Sequence, residues 1–266
     1  MAKLSFKKFG AGEPLIILHG LYGSSDNWVS VARELMDFFS VYVLDLRNHG
    51  DSPHLPEHNY QVMTDDLVEF MNEQQIYSAN ILGHSMGGKV AMMFTALNPE
   101  RVKNLVVVDI SPRSYSSDSG DSQIADHQTI MNALFSVDLQ KLKSRSEADS
   151  LLAKQINSKR IRQFLLKNLH RNKDKSFSWK INLDVLYQSL PQVLIGLEDE
   201  ASGLEDFRYA TLFIKGGQSD YIRDKDETLI RQMFRNVKIE TIPSASHWVH
   251  AEEPDVFLAL VKNFLL

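Results

Sequence analysis

Residues 79–97 constrain this chain more than any other stretch. An apolar run, Ala79–Leu82, leads into Gly83-His84-Ser85-Met86-Gly87 and passes at once into a helix-like pattern reaching about Leu97. A short, continuous apolar run followed directly by a helix fits a strand buried on both faces of a parallel sheet. Side chains at Gly83 or Gly87 would collide with the neighbouring strand or helix, so the two glycines let the chain turn sharply with Ser85 at the apex. A serine hydroxyl is a weak nucleophile at neutral pH. Held on such an elbow, it can be reached by a base from one side and by N–H donors from the other.

The same alternation extends along the chain. Strands are predicted at Lys3–Phe9, Leu15–Leu18, Val41–Leu46, Ala79–Leu82 and Leu105–Val108, with helices at Trp28–Met36, Thr64–Glu73 and Met86–Leu97. Strands separated by helices predict an α/β protein with a mostly parallel central sheet. After Asp109 the rhythm changes. Residues 112–205 show helical spacing and charge clusters, and the strand–helix pattern resumes at Thr211–Ile214, Lys225–Phe234, Val237–Ile242 and Pro254–Leu265. The expected organisation is a core of residues 1–111 and 206–266 with a helical cap, 112–205, inserted in it. The Ser/Asp/Gly-rich tract Ser114–Ser122 reads as a hinge for that cap.

Composition narrows the function. A chain of 266 residues can bury a full core, and the absence of cysteine excludes structural disulfides, thiol catalysis and cysteine-ligated metals. A formal net charge of −5 argues against a nucleic-acid binder. With no apolar leader at the N-terminus and no run long enough to span a bilayer, a cytoplasmic protein is expected. No GxxxxGK[ST] loop occurs, and Gly10-Ala-Gly12 lacks the rest of a dinucleotide fingerprint, so no cofactor is expected. The oligomeric state is not legible.

If Ser85 attacks a carbonyl, a base must take its proton. His247 follows the last predicted strand, at the same carboxyl edge of the sheet as the elbow. His250, three residues on, should turn towards the closing helix. A carboxylate must then hold the imidazole Nδ1 proton. Asp109 ends the strand after the elbow helix and Asp220 follows the strand after the cap; chain order admits both. Backbone donors for the developing oxyanion are expected from Met86 and Leu21, with Tyr22 as a substitute for Leu21. Trp248, beside the base, is a candidate wall of the acyl pocket, whereas Phe135, Phe164, Phe177 and Trp179 read as packing. Asp45-Leu-Arg47-Asn-His49-Gly50-Asp-Ser52 is chemically rich, and in isolation it suggests a metal site or a second acid–base pair. No other cluster has metal-ligand spacing.

Together, His19-Gly-Leu-Tyr-Gly-Ser-Ser-Asp-Asn-Trp28, Asp45-Leu-Arg-Asn-His-Gly-Asp-Ser52, Gly83-His-Ser-Met-Gly-Gly88, Val107-Val-Asp-Ile-Ser-Pro112 and His247-Trp248 resemble the α/β hydrolase superfamily, and within it the small bacterial esterases of the YbfF type. Superfamily members carry a loop similar to Asp45–Ser52, so the resemblance implies internal salt bridging and hydrogen bonding that hold this loop near the site, not a metal or a second acid–base pair. Most superfamily members carry the acid in a Gly-x-x-Asp turn after the cap. Here the fourth position is Ser219, and Asp220 comes one residue late. The YbfF type takes its acid from the earlier strand, so the resemblance implies a Ser85-His247-Asp109 triad, with Asp220 as the alternative acid. It also implies hydrolysis of small carboxylic esters with short or medium acyl chains, or of acyl-CoA thioesters. Carbon–carbon bond hydrolases of the same fold act on acidic ketones and would gather arginines under the cap. Arg113, Arg160 and Arg162 are available for that, and Arg113 is also a candidate substrate contact. A non-catalytic receptor that has kept the scaffold is the remaining alternative.

Overall fold

The computed structural model describes residues 1–116, 120–197 and 208–266. Seven strands form one twisted sheet in the order β1 (Phe6–Phe9), β3 (Phe39–Leu44), β2 (Glu13–Leu18), β4 (Ala79–His84), β5 (Val102–Val108), β8 (Thr211–Gly216), β9 (Val237–Ile242). Only β1 runs antiparallel, pairing Phe6 with Leu44 and Phe9 with Val41. The continuous apolar runs lie where burial on both faces requires them: every residue of β3, β4 and β8 is buried.

Helices cover both faces. On one side α1 (Val29–Leu35) and the closing helix α11 (Pro254–Leu265) pack Leu35, Phe257 and Val261 against Leu15, Val43 and Ile214. On the other, α2 (Tyr60–Glu73), α3 (Met86–Leu97) and α9 (Asp224–Met233) bury Leu67, Phe70, Val90, Phe94 and Ile230 against Ile16, Ile81, Val107 and Phe213. Chain order reverses between β2 and its two neighbours, β3 and β4. The crevice at the carboxyl ends of β2 and β4 is therefore the topological switch point at which open α/β sheets bind ligands.

Between β5 and β8 lie α4 (Gln123–Phe135), α5 (Arg145–Leu152), α6 (Lys159–Leu166), α7 (Leu183–Gln188) and α8 (Leu190–Leu194). This insertion is not wholly helical as expected. A two-stranded antiparallel hairpin, β6 (Leu169–Arg171) with β7 (Phe177–Trp179), closes through a turn in which Lys175 has φ +72°. Residues 117–119 of the Ser114–Ser122 tract, and the expected cap end at 205, lie outside the described residues. The flanks of the tract are firmly bonded: Tyr115 N–H donates to Leu194 O at 2.9 Å, Leu197 N–H to Pro112 O at 2.8 Å and Gly196 N–H to Ser114 Oγ at 2.7 Å. The buried Lys89 of α3 donates to the carbonyls of Arg113 and Ile195, and its ammonium lies 4.9 Å from the Tyr115 ring centre. Among the described residues no helix is long and apolar enough to cross a membrane.

The Asp45–Ser52 loop is held from inside, as the superfamily resemblance implies. Asp45 accepts the N–H groups of Ser25 and Asp51, and Ser52 Oγ donates to Asp45 O. Arg47 makes a bidentate pair with the fully buried Asp66, at 2.6 and 2.8 Å. Two histidines complete the brace. His19 Nε2 accepts from Leu46 N–H at 3.0 Å, and His49 Nε2 accepts from Tyr22 N–H at 3.3 Å. Each must then carry its proton on Nδ1, which faces the carbonyl of Gly20 or Arg47.

Candidate active site

Ser85 sits between β4 and α3 with φ 53° and ψ −122°, outside the regions ordinary L-residues populate. The close approach that requires glycine is visible here: a Cβ on Gly83 would lie 2.2 Å from Gly87 O, and one on Gly87 would lie 2.5 Å from the carbonyls of Leu18 and His19. Such local strain costs on the order of 1–3 kcal/mol and is offset by the surrounding core.

Three side chains widely separated in sequence form one hydrogen-bonded line. Ser85 Oγ lies 3.0 Å from His247 Nε2, and His247 Nδ1 lies 2.9 Å from Asp109 Oδ2. Asp109 ends β5 with φ 48°, a conformation that aspartate tolerates better than most residues. Its carboxylate is fully buried and also accepts the Gly216 N–H on Oδ1, at 2.9 Å, and the Ser219 hydroxyl on Oδ2. An acceptor with three donors wants a proton from Nδ1, which leaves Nε2 bare and facing the serine. Among the described residues Asp109 is the only carboxylate bonded to His247. Asp220 is exposed on the far side of the Ser219 turn and reaches the cavity but makes no bond to the imidazole.

Leu21 and Trp248 line the cavity over Ser85, and the Met86 N–H is an unsatisfied donor at the first position of α3. Tyr22 N–H donates to His49, which removes it as the substitute oxyanion donor. Its ring instead lines the cavity.

Arg113 is a correction. Its guanidinium pairs with Asp121 at 2.8 and 3.0 Å and lies 3.0 Å from Asp226, away from the cavity. A cation with two buried carboxylates in reach is fixed to them. Arg160 pairs with Glu252, and Arg162 with Asp149, so the three arginines do not converge under the insertion. Phe164, expected as packing, stands beside Trp248 in the cavity wall, ring centres 5.7 Å apart.

Several neighbours were not singled out in the sequence. His84 faces the His247 carbonyl through Nε2 at 2.8 Å, tying the His247 backbone to the elbow. Tyr221 stacks on the His247 ring at 3.9 Å and 16°. Glu252 accepts both the N–H and the hydroxyl of Ser246, next to the base. The Gly-His-Ser-Met-Gly pattern carries the signal for His84; the other two depend on tertiary packing.

Buried histidines set a pH limit. Burial lowers His19 to about 4, and His58 and His250 to about 3, from an ordinary 6.5. His58 has no hydrogen-bond partner, and neither has Nδ1 of His250, which stacks on Trp28 at 3.9 Å. The unfolded chain binds protons that the folded one refuses, so the stability they contribute is complete above pH 6.5 and lost as pH falls towards 4. Each group should cost on the order of 1 kcal/mol by pH 5.5. Urea unfolding at pH 7.5 and 5.5 should therefore show a clear drop in midpoint; equal midpoints would contradict it.

A sequence profile described as the α/β hydrolase fold matches residues 13–254. The chain belongs to the α/β hydrolase fold family. This α/β hydrolase is similar to esterase YbfF of Escherichia coli strain K12, at 34% identity over 95% of this chain and 92% of that one. It is 36% identical to the mouse (Mus musculus) sn-1-specific diacylglycerol lipase ABHD11, over 94% of this chain and 80% of that protein. Among solved structures, one described as a marine microorganism esterase superposes with a TM-score of 0.95 at 45% identity, covering all of both chains.

Proposed function

We propose that this hydrolase cleaves carboxylic esters through an acyl-enzyme on Ser85, with residues 112–205 as a cap over the site. The observation that carries the reading is the line from Ser85 Oγ through His247 to Asp109; the amides of Met86 and Leu21 are the donors assigned to the developing oxyanion. His247 Nε2 takes the Ser85 proton as Oγ attacks the ester carbonyl. The negative charge moves to the carbonyl oxygen, where the two N–H groups stabilise it. His247 then protonates the departing alcohol, and a water activated by the same nitrogen releases the acid. Asp109 fixes the tautomer and balances the imidazolium.

The relatives named as esterases and a lipase support the reaction class. The cavity, about 390 Å³, is at the small end for ligand pockets and favours short or medium acyl chains. Against cleavage of acidic ketones stands the pairing of Arg113, Arg160 and Arg162 elsewhere. The test is a chain-length series of p-nitrophenyl esters beside matched acyl-CoA thioesters and a vinylogous diketone acid. Ester turnover should peak at short or medium chains. Cleavage of the diketone without turnover of any ester would overturn the reading.

A further inference from the structure

The cavity above Ser85 holds no cationic side chain among the described residues, and residues 117–119 and 198–207 contain no lysine or arginine. The lining groups that carry charge at neutral pH are two carboxylates, Asp126 in the first turn of α4 and Asp220 after β8, both exposed to solvent. The arginines nearest in sequence, Arg113, Arg160, Arg162 and Arg223, are bound to Asp121, Asp226, Glu252 and Asp149. Two lining histidines remain neutral: burial lowers His127 to about 4, and lowers His84 well below its ordinary value.

What the cavity offers besides charge is a neutral donor. His127 of α4 lies between two phenols, with Nδ1 3.3 Å from Tyr22 Oη and Nε2 3.3 Å from Tyr221 Oη. A neutral imidazole has one N–H and one bare nitrogen. One tyrosine must therefore donate to it, while the other accepts from it and keeps its own O–H for a ligand. Burial raises both phenols above their usual range, so neither ionises at working pH.

We propose that this cavity selects esters that bring no negative charge into it, neutral or cationic acyl donors, and rejects those carrying a carboxylate on the part that enters. The inference rests on the ester-hydrolase reading and adds its substrate class. An incoming carboxylate meets two like charges and no counter-charge, and it exchanges water for neutral donors alone, phenol, hydroxyl and amide groups.

The test compares diethyl succinate with monoethyl succinate, and 3,3-dimethylbutyl butyrate with its cationic isostere butyrylcholine, on wild type and on Asp126→Asn/Asp220→Asn. The monoester should have a kcat/KM roughly 10- to 100-fold below the diester, mainly through KM, and the choline ester should match or exceed its neutral isostere. The gap should narrow in the double variant and at high salt. Equal rates for the two succinates, or a gap unmoved by both the substitutions and salt, would overturn the proposal. Failure to turn over any of the four esters would instead remove the ester-hydrolase reading beneath it.

Discussion

Ser85→Ala should lower kcat/KM on a p-nitrophenyl ester by about 10⁵-fold or more and abolish labelling by a fluorophosphonate, while the thermal midpoint stays close to that of wild type. The size of the loss follows from the unit to which the serine belongs. Without Oγ there is no atom for the acyl group to bond, and His247 has no proton to take. What remains is positioning and the two backbone donors, which act on a carbonyl attacked only by water. The variant should fold, because the strained backbone at position 85 is imposed by the close approach of Gly83 and Gly87 to their neighbours, not by the hydroxyl. Stoichiometric labelling of the variant would show that another residue is the nucleophile. His247→Ala should behave in parallel and add little to the loss in a double variant, as expected of residues that work together.

Asp109→Asn should cost roughly 10⁴-fold in kcat, whereas Asp220→Asn should change turnover of neutral esters by less than about tenfold. The first figure has a specific structural origin. Gly216 N–H donates to Asp109 Oδ1, so the amide of Asn would keep its carbonyl oxygen there and turn its NH₂ to the place of Oδ2. That group faces His247 Nδ1. Nδ1 must then accept, the imidazole proton moves to Nε2, and the nitrogen facing Ser85 can no longer take a proton. Ser219 Oγ can rotate to accept from the amide, so the variant stays hydrogen-bonded and folded. Steady-state kinetics of the two variants side by side decide the matter; loss in the second without loss in the first would make Asp220 the acid.

The parts of the fold that were legible are those whose local pattern has one physical solution. The Val-rich run at 102–108, the elbow and the closing helix Pro254–Leu265 each satisfy a strand or helix requirement on their own. The bond from Asp109 to His247 fits the early acid that the resemblance implies, with Asp109 directly after a buried strand. The hairpin 169–179 was not legible: each strand has three residues, too few for alternation to register, and a left-handed Lys175 makes the turn without a glycine. Arg113 was misassigned because its partners, Asp121 and Asp226, are brought to it by separate parts of the chain. A sequence gives the charge of an arginine but not its counter-ion. His127 and Tyr221 were invisible in the same way, since one comes from the insertion and the other from the core and they meet only over His247.

Lys89 has a bearing on how far this architecture is modular. Its ammonium, on the helix that begins directly after Ser85, holds the carbonyl of Arg113, a few residues past β5, and that of Ile195, directly after α8. A deletion that removes Arg113 and Ile195 together with the segment between them would take both carbonyls from that buried cation, at a cost of several kcal/mol. A chimera that grafts a foreign segment between β5 and β8 would therefore need an apolar residue at position 89, or a backbone that offers the same two carbonyls. The portability of that segment is set from within the helix that follows Ser85.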